Sequence, residues 1–236
     1  MKYETKQIKK DLVQITTSDE RWYQTGEKFV PSVTWICSHY PKGIQFMKWL
    51  ASKGWNDAES IKESAGDKGS RIHHAIEALN TGMKIRHNTK IANEGVEAEL
   101  TGEEYEAVIS YADWFKEVKP KIIKAEHAII TDNYGGTIDI IAKIGKQKWI
   151  IDVKSSQYIW AEHKLQVSAY KHAMKNPEDY KIAILNVGYK RNKRKYKFTE
   201  VEDKMDLFRA AYKIWQEEVS QKNPPQINLP LSIKLT

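Results

Sequence analysis

The stretch GTIDIIAKIGKQKWIIDVKSS, Gly136 to Ser156, constrains the fold of this chain more than any other. Gly145-Lys146 is a Gly-X pair suited to a two-residue type II′ hairpin turn, and it lies between two runs rich in β-branched residues. With that pair as the turn, Ile144 faces Gln147, and counting outwards sets Asp139 opposite Asp152. Facing Cβ atoms in such a pair lie about 4.5–5.5 Å apart. Lys154 shares the face of the two aspartates because side chains alternate along a strand. The other face, Ile138, Ile140 and Ala142 against Trp149, Ile151 and Val153, predicts a buried surface. A slip of one residue would exchange the two faces, so the register is well specified.

Two aspartates in this position need a reason. Like charges about 4 Å apart repel by roughly 4 kcal/mol at an effective dielectric near 20. A divalent cation removes the conflict, since magnesium takes oxygen ligands at about 2.0–2.1 Å. A solvated strand face bearing Asp, Asp and Lys is the alternative, because antiparallel sheets commonly have one wet side. Other residues converge on the same chemistry. In GSRIHHAIEAL, His73 lies beside a helical stripe of Ile72, Ala75, Ile76 and Leu79, with Glu77 one turn later, and can act as a ligand or as a half-buried histidine. His with carboxylates suits manganese or magnesium. Glu126 interrupts the apolar strand KAEHAII, as a further acidic ligand or as a partner for nearby backbone. Gln166 and Tyr170, spaced i,i+4, share one helix face, which either packs on the sheet or holds Lys154 or a phosphate.

The rest of the pattern predicts a central mixed sheet flanked by helices, in the α/β (α+β) class. Short strands and turns are expected from Leu12 to Val33, then PSVTWICSHYPKG as an apolar patch before a helix from Ile44 to Lys53. Asn56-Asp57 can cap a helix reaching Ala78 with a break near Gly66–Gly69. Thr101 and Glu104 form a capping box for a helix from Gly102 to Val118. Strands follow at Ile122–Thr131, Gly136–Ile144 and Lys148–Ser155, then a helix from Ala161 to Met174. Two further strands and a helix from Asp203 to Gln221 complete the pattern. No linker divides the 236 residues, so one domain is expected: strands and helices over 1–65, a core over 66–201, and a helix and tail over 202–236.

Charge and composition narrow the partners. A net charge of +7 points towards a polyanion, and its densest run is Lys190, Arg191, Lys193, Arg194, Lys195 and Lys197. That run reads either as a solvated hairpin tip or as a phosphate grip with salt-dependent affinity. Trp160 can pack in the core or stack on a base. The single cysteine, Cys37, excludes an internal disulfide and a four-cysteine zinc or iron–sulfur site within one chain. No apolar run of about 18 residues is present, and MKYETKQIKKDLVQ lacks a signal-peptide core. A soluble, cytoplasmic protein is the expectation.

The succession His73, Glu126, Gly136-Thr-Ile-Asp139, Asp152-Val-Lys154 and Gln166-x-x-x-Tyr170 resembles the PD-(D/E)XK nucleases, in particular the RecB-nuclease-domain and Cas4-like exonucleases and their phage relatives. The similarity runs from about Gly66 to Tyr170, and PSVTWI is like a segment that often precedes it in phage members. The resemblance implies a restriction-endonuclease-like core with N-terminal helical decoration and a metal-dependent deoxyribonuclease, an exonuclease of recombination, replication or repair. It implies one or two Mg²⁺ or Mn²⁺ ions on His73, Asp139, Asp152 and the Val153 carbonyl. Lys154 would orient or help deprotonate the attacking water, and Glu126, Gln166 and Tyr170 would assist or hold the DNA. Lone Cys37 departs from the iron–sulfur members and implies a cluster-free form. A resolvase- or restriction-type endonuclease and a catalytically silent DNA-binding module remain alternatives, as does a homo-oligomer or a recombination or replication partner protein.

Overall fold

The computed structural model describes residues 4–17, 20–93, 96–219 and 224; the Pro-rich tail and the end of the expected last helix lie outside them. The mixed α+β architecture expected from the sequence is present. Strands β1 (Glu4–Lys9), β2 (Leu12–Thr16), β3 (Arg21–Thr25) and β4 (Lys28–Pro31) form an antiparallel sheet in chain order. The break at Thr25-Gly26-Glu27 is the turn from β3 to β4, with Gly26 at φ +57°. Helix α1 (Val33–Ser38) occupies the segment expected only as an apolar patch. Ser32 caps it, its hydroxyl accepting the Trp35 N–H at 3.0 Å.

Helices α2 (Ile44–Lys53) and α3 (Trp55–Asn80) follow. The expected break at Gly66–Gly69 is absent, and α3 starts at Gly54 rather than at an Asn56-Asp57 cap. Glycine costs a helix interior about 1 kcal/mol against alanine, and burial of Ile72, Ala75 and Ile76 further along offsets it. A ribbon of β5 (Lys90–Asn93) and β6 (Val96–Glu99) precedes α4 (Gly102–Val118), whose Thr101–Glu104 capping box forms as expected. Arg71 donates from Nε and Nη2 to Oε1 of buried Glu104 at 2.9 and 2.6 Å. Removing one member of a buried pair costs about 3–5 kcal/mol, so this contact fixes α3 against α4 just before His73.

The main sheet holds β7 (Lys121–Ile130), β8 (Gly135–Ile144), β9 (Gln147–Lys154), β10 (Tyr180–Val187) and β11 (Tyr196–Glu200), ordered β11-β10-β9-β8-β7. The crossover through α5 (Ala161–His172) makes β9 and β10 parallel, and the other pairs are antiparallel. Helix α6 (Met205–Glu218) ends the described chain apart from residue 224. The β8–β9 register is the expected one, Ile144 facing Gln147 and Ile140 facing Ile151. Of the two turn residues only Gly145 takes a positive φ, +59°, as a II′ turn requires.

Both faces of this sheet are packed. Ile140, Ala142, Ile151 and Val153 meet Ile72, Ile76, Tyr111 and Trp114 of α3 and α4. Ile141 and Ile150, on the face of the aspartates, are buried with Ile36, Leu165 and Phe208 of α1, α5 and α6, and with Ile15 and Trp22 of the N-terminal sheet. The solvated-face alternative therefore fails: Asp152 is 1% exposed. Ile138 joins the second cluster, not the first as its parity predicts. The β8–β9 ladder stops at Ile140, and β8 changes orientation beyond it. No helix among the described residues is long and apolar enough to cross a membrane.

Candidate metal centre

The point where β8 and β9 part is where the polar residues gather. Asp139 no longer faces a ladder partner; its Oδ2 accepts the Val153 backbone N–H at 2.7 Å. Across from it on β7, Glu126 sits between the Ala125–Ile140 and His127–Ile138 pairs in a left-handed conformation, φ +46°. Such a backbone costs a non-glycine residue roughly 1–3 kcal/mol and is characteristic of functional sites. The register of the flanking pairs sets its carboxylate opposite Asp139. From α3, His73 reaches both: Nε2 donates to the Val153 carbonyl at 2.9 Å, and Nδ1 lies 3.5 Å from Asp139 Oδ1. A carbonyl only accepts, so Nε2 carries the proton, and in the neutral ring Nδ1 presents its lone pair towards the carboxylates.

His73, Glu126 and Asp139 each offer a ligand atom, and these atoms all lie within 4.8 Å of one another. That spacing and donor set fit one divalent cation. Of the expected ligand set, His73 and Asp139 belong to this trio. Asp152 stands outside the trio, buried beneath it, with the Lys154 ammonium 3.0 Å from Oδ1 and 2.8 Å from Oδ2. Only Oδ1 receives an aligned hydrogen bond; Oδ2 is buried without one. The Val153 carbonyl, expected as a ligand, accepts from His73 Nε2. Glu126, expected to assist at the site, belongs to the trio as well.

Electrostatics follow the same geometry. Burial pushes the Glu126 carboxyl up to about 7, and the Asp139 charge pushes the same way. Burial also lifts Asp152, to about 6, against the pull of Lys154. Burial works against the charged forms of Asp139 and His73 too, yet each outweighs it for the other: Asp139 is lowered and His73 is raised to about 9. Lys154 is raised despite its burial because Asp152 and Asp139 lie beside it. A lysine held in this way sets a positive charge beside the trio.

A cleft of about 360 Å³ opens over these groups, lined by His73, Glu77, Glu126, Asp139, Lys154, Gln166 and Tyr170. Gln166 Nε2 donates to the Tyr170 hydroxyl at 2.9 Å, so the tyrosine keeps its own O–H free to donate. Tyr170 reaches the cleft by lying on Gly136, where an added Cβ would fall 2.6 Å from Tyr170 Cε1. Gly136→Ala is expected to cost about 1–3 kcal/mol in urea unfolding, with a matching displacement of Tyr170. An unchanged midpoint would show that the ring can move away freely.

The cleft also contains residues the sequence did not single out. Lys6 and Arg21 line it from the N-terminal sheet, with Tyr23, Ser32 and Thr34. They belong to elements distant in the chain, with no motif spacing to flag them. His163 on α5 shares the helix face of Gln166 and Tyr170; burial, then Lys154 and Lys42, lower its pKa to about 3, so it is neutral. That face was legible at i, i+3 and i+7, but was read only at Gln166 and Tyr170.

The basic run at 190–195 does form the β10–β11 tip, but much of its charge is already met. Lys190 pairs with Glu103 at 2.8 Å, Arg194 with Glu117 at 3.0 Å and Lys195 with Glu106 at 3.3 Å, all on α4. Exposed pairs of this kind contribute only about 0–1 kcal/mol each, yet they lower the net field of the tip. Trp160 lies at the start of α5, 54% exposed, and not in the core. No protein-family model matches the chain, and a search of curated proteins finds no significant match.

Proposed function

We propose that the chain is a metal-dependent nuclease that hydrolyses DNA phosphodiester bonds. The observation that carries this reading is the convergence of His73, Glu126 and Asp139 from three separate elements beside Lys154 at the end of β9. Mg²⁺ or Mn²⁺ would be held by these three, with Asp152, whose Oδ2 is buried without an aligned donor, as the further carboxylate. The ion, when bound, supplies polarisation of a phosphoryl oxygen and acidifies water at neutral pH.

The chain's own residues supply the remainder. Lys154, fixed by Asp152, places a compact positive charge where negative charge grows on the phosphate. Lys6 and Arg21 add positive charge to the lining of the same cleft. Tyr170, oriented by Gln166, offers an O–H donor to a phosphate oxygen. His73 is held by the Val153 carbonyl with Nδ1 towards Asp139, the second-sphere arrangement that fixes a ligating histidine's tautomer.

Exonuclease action in recombination, replication or repair is the mode implied by the resemblance to the RecB-type branch. Incubation with end-labelled linear DNA and with covalently closed circles, each with Mg²⁺ or Mn²⁺ and with EDTA, tests it. Metal-dependent loss confined to linear DNA is expected. Nicked or linearised circles would replace exonuclease by endonuclease. Binding without any cleavage would leave a silent DNA-binding module.

A further inference from the structure

Directly after Lys154 the chain enters a short loop, residues 155–160, that turns two large rings out to solvent. Tyr158 is 53% and Trp160 54% exposed, their ring centres 5.5 Å apart and their planes inclined at 36°. The Arg191 guanidinium lies 4.1 Å from the centre of the Tyr158 ring. While its neighbours Lys190, Arg194 and Lys195 turn to carboxylates of α4, Arg191 stays with the aromatic pair.

The loop is clamped. The Ser156 hydroxyl donates to the Tyr158 carbonyl at 2.8 Å, and buried Asn186 on β10 donates to the Ser156 carbonyl at 2.8 Å. The Gln157 amide donates to the Gly188 carbonyl at 2.9 Å and accepts the Lys190 N–H at 2.8 Å. Both the loop and the β10–β11 tip are thus tied to the ends of β9 and β10, where Lys154, which lines the cleft, and Asn186 are register partners. Two exposed rings kept in place by four hydrogen bonds, with a guanidinium over one of them, are a surface organised for something flat.

We propose that Tyr158, Trp160 and Arg191 form a stacking platform for the unpaired bases of a single-stranded nucleic acid, next to the cleft. The assignment of its neighbour as a cleavage site rests on the nuclease reading above. Every base offers a π-face, whatever its identity, and Arg191 can meet both the ring stack and a phosphate. A base inside a duplex has both faces covered by its neighbours and gains nothing from such a surface. The platform therefore selects unpaired strands without selecting sequence.

Fluorescence anisotropy of the full chain with labelled oligo(dT) and with a duplex of the same length, both in EDTA so that nothing is cleaved, tests the proposal. The double variant Tyr158→Ala, Trp160→Ala is expected to bind oligo(dT) at least about tenfold more weakly, with the duplex affected about twofold or less. Trp160→Phe, which keeps a ring, is expected to stay within about threefold of the wild type. Three results would each overturn the platform: an unchanged oligo(dT) affinity in the double variant, an equal loss on duplex, or a loss for Trp160→Phe as large as for Trp160→Ala. Hydrolysis of bis(para-nitrophenyl) phosphate with Mn²⁺, a diester with no base to stack, reports on the cleft alone, so failure of the platform and failure of the nuclease reading are told apart.

Discussion

Asp139→Asn is expected to lower metal-dependent cleavage of labelled DNA by about 10³-fold or more, while DNA binding in EDTA persists. Asp139 is the residue on which the centre converges: it pairs with His73, accepts the Val153 N–H and faces Glu126. Losing its charge removes a ligand and the counter-charge of His73 together, and a Lewis-acid contribution of several kcal/mol corresponds to about three decades in rate at 1.36 kcal/mol each. Lys154→Met is expected to lower cleavage by about 10²–10³-fold, the loss seen when one fixed donor to a developing anion is removed. Asp152 separates two roles in the same experiment. If it acts only by fixing Lys154, Asp152→Asn combined with Lys154→Met should be no slower than Lys154→Met alone. If it also binds the ion, the double variant should be slower still. Activity of Asp139→Asn within a few-fold of the wild type would remove the metal centre from the mechanism.

Thermal unfolding with and without Mn²⁺ should show a stabilisation that grows with pH. The signs follow from the direction of each shift. Glu126 and Asp152 have folded pKa values of about 7 and about 6, above their usual values near 4.3 and 3.9. They favour the fold while protonated, an advantage fully present below the unfolded pKa and lost as pH rises through 6 to 7. His73, raised to about 9, contributes stability below its unfolded value near 6.5, and this is lost as pH rises through about 9. Asp139 is lowered, so its contribution is present above the unfolded value and is lost only as acid protonates it. The ion-free protein should therefore weaken between about pH 5 and pH 9. A cation requires Glu126 deprotonated and Nδ1 of His73 free, so its binding releases protons and strengthens with pH. At a hundred times Kd it adds about 2.7 kcal/mol, roughly 5–10 °C in Tm for a chain of this size. That shift is expected at pH 8, with little of it at pH 5.5, and Glu126→Gln should reduce the pH dependence. Equal shifts at both pH values would detach Glu126 and His73 from the site.

Local features were legible in the chain wherever they depend on nearest neighbours. The Thr101–Glu104 capping box, the limits of α2 and α4, and the turn at Gly145 were read correctly because caps and two-residue turns are chosen within four residues. The six-residue α1 was missed because its one signal, Ser32 after Pro31, also reads as a turn. Ribbon β5–β6 and strand β1 were missed because short edge pieces carry too few residues for a period to emerge. Helix α3 runs unbroken through Gly66 and Gly69, which are not in its buried stretch; the burial that anchors it lies at Ile72, Ala75 and Ile76.

What the sequence by itself determined is the hairpin: its turn at Gly145, its register from Ile144–Gln147 to Ile140–Ile151, and the apolar face that this register buries. Alternation with period 2 and a turn needing one glycine set that register as far as the ladder runs, and Asp139 lies just beyond it. Only the tertiary structure decided which carboxylates meet. It pairs β7 with β8 so that Glu126 meets Asp139, brings His73 to them from α3, and buries Asp152. It also adds Lys6 and Arg21 from a sheet formed by the first strands. These outcomes depend on how elements distant in the chain pack, so no spacing along the chain encodes them.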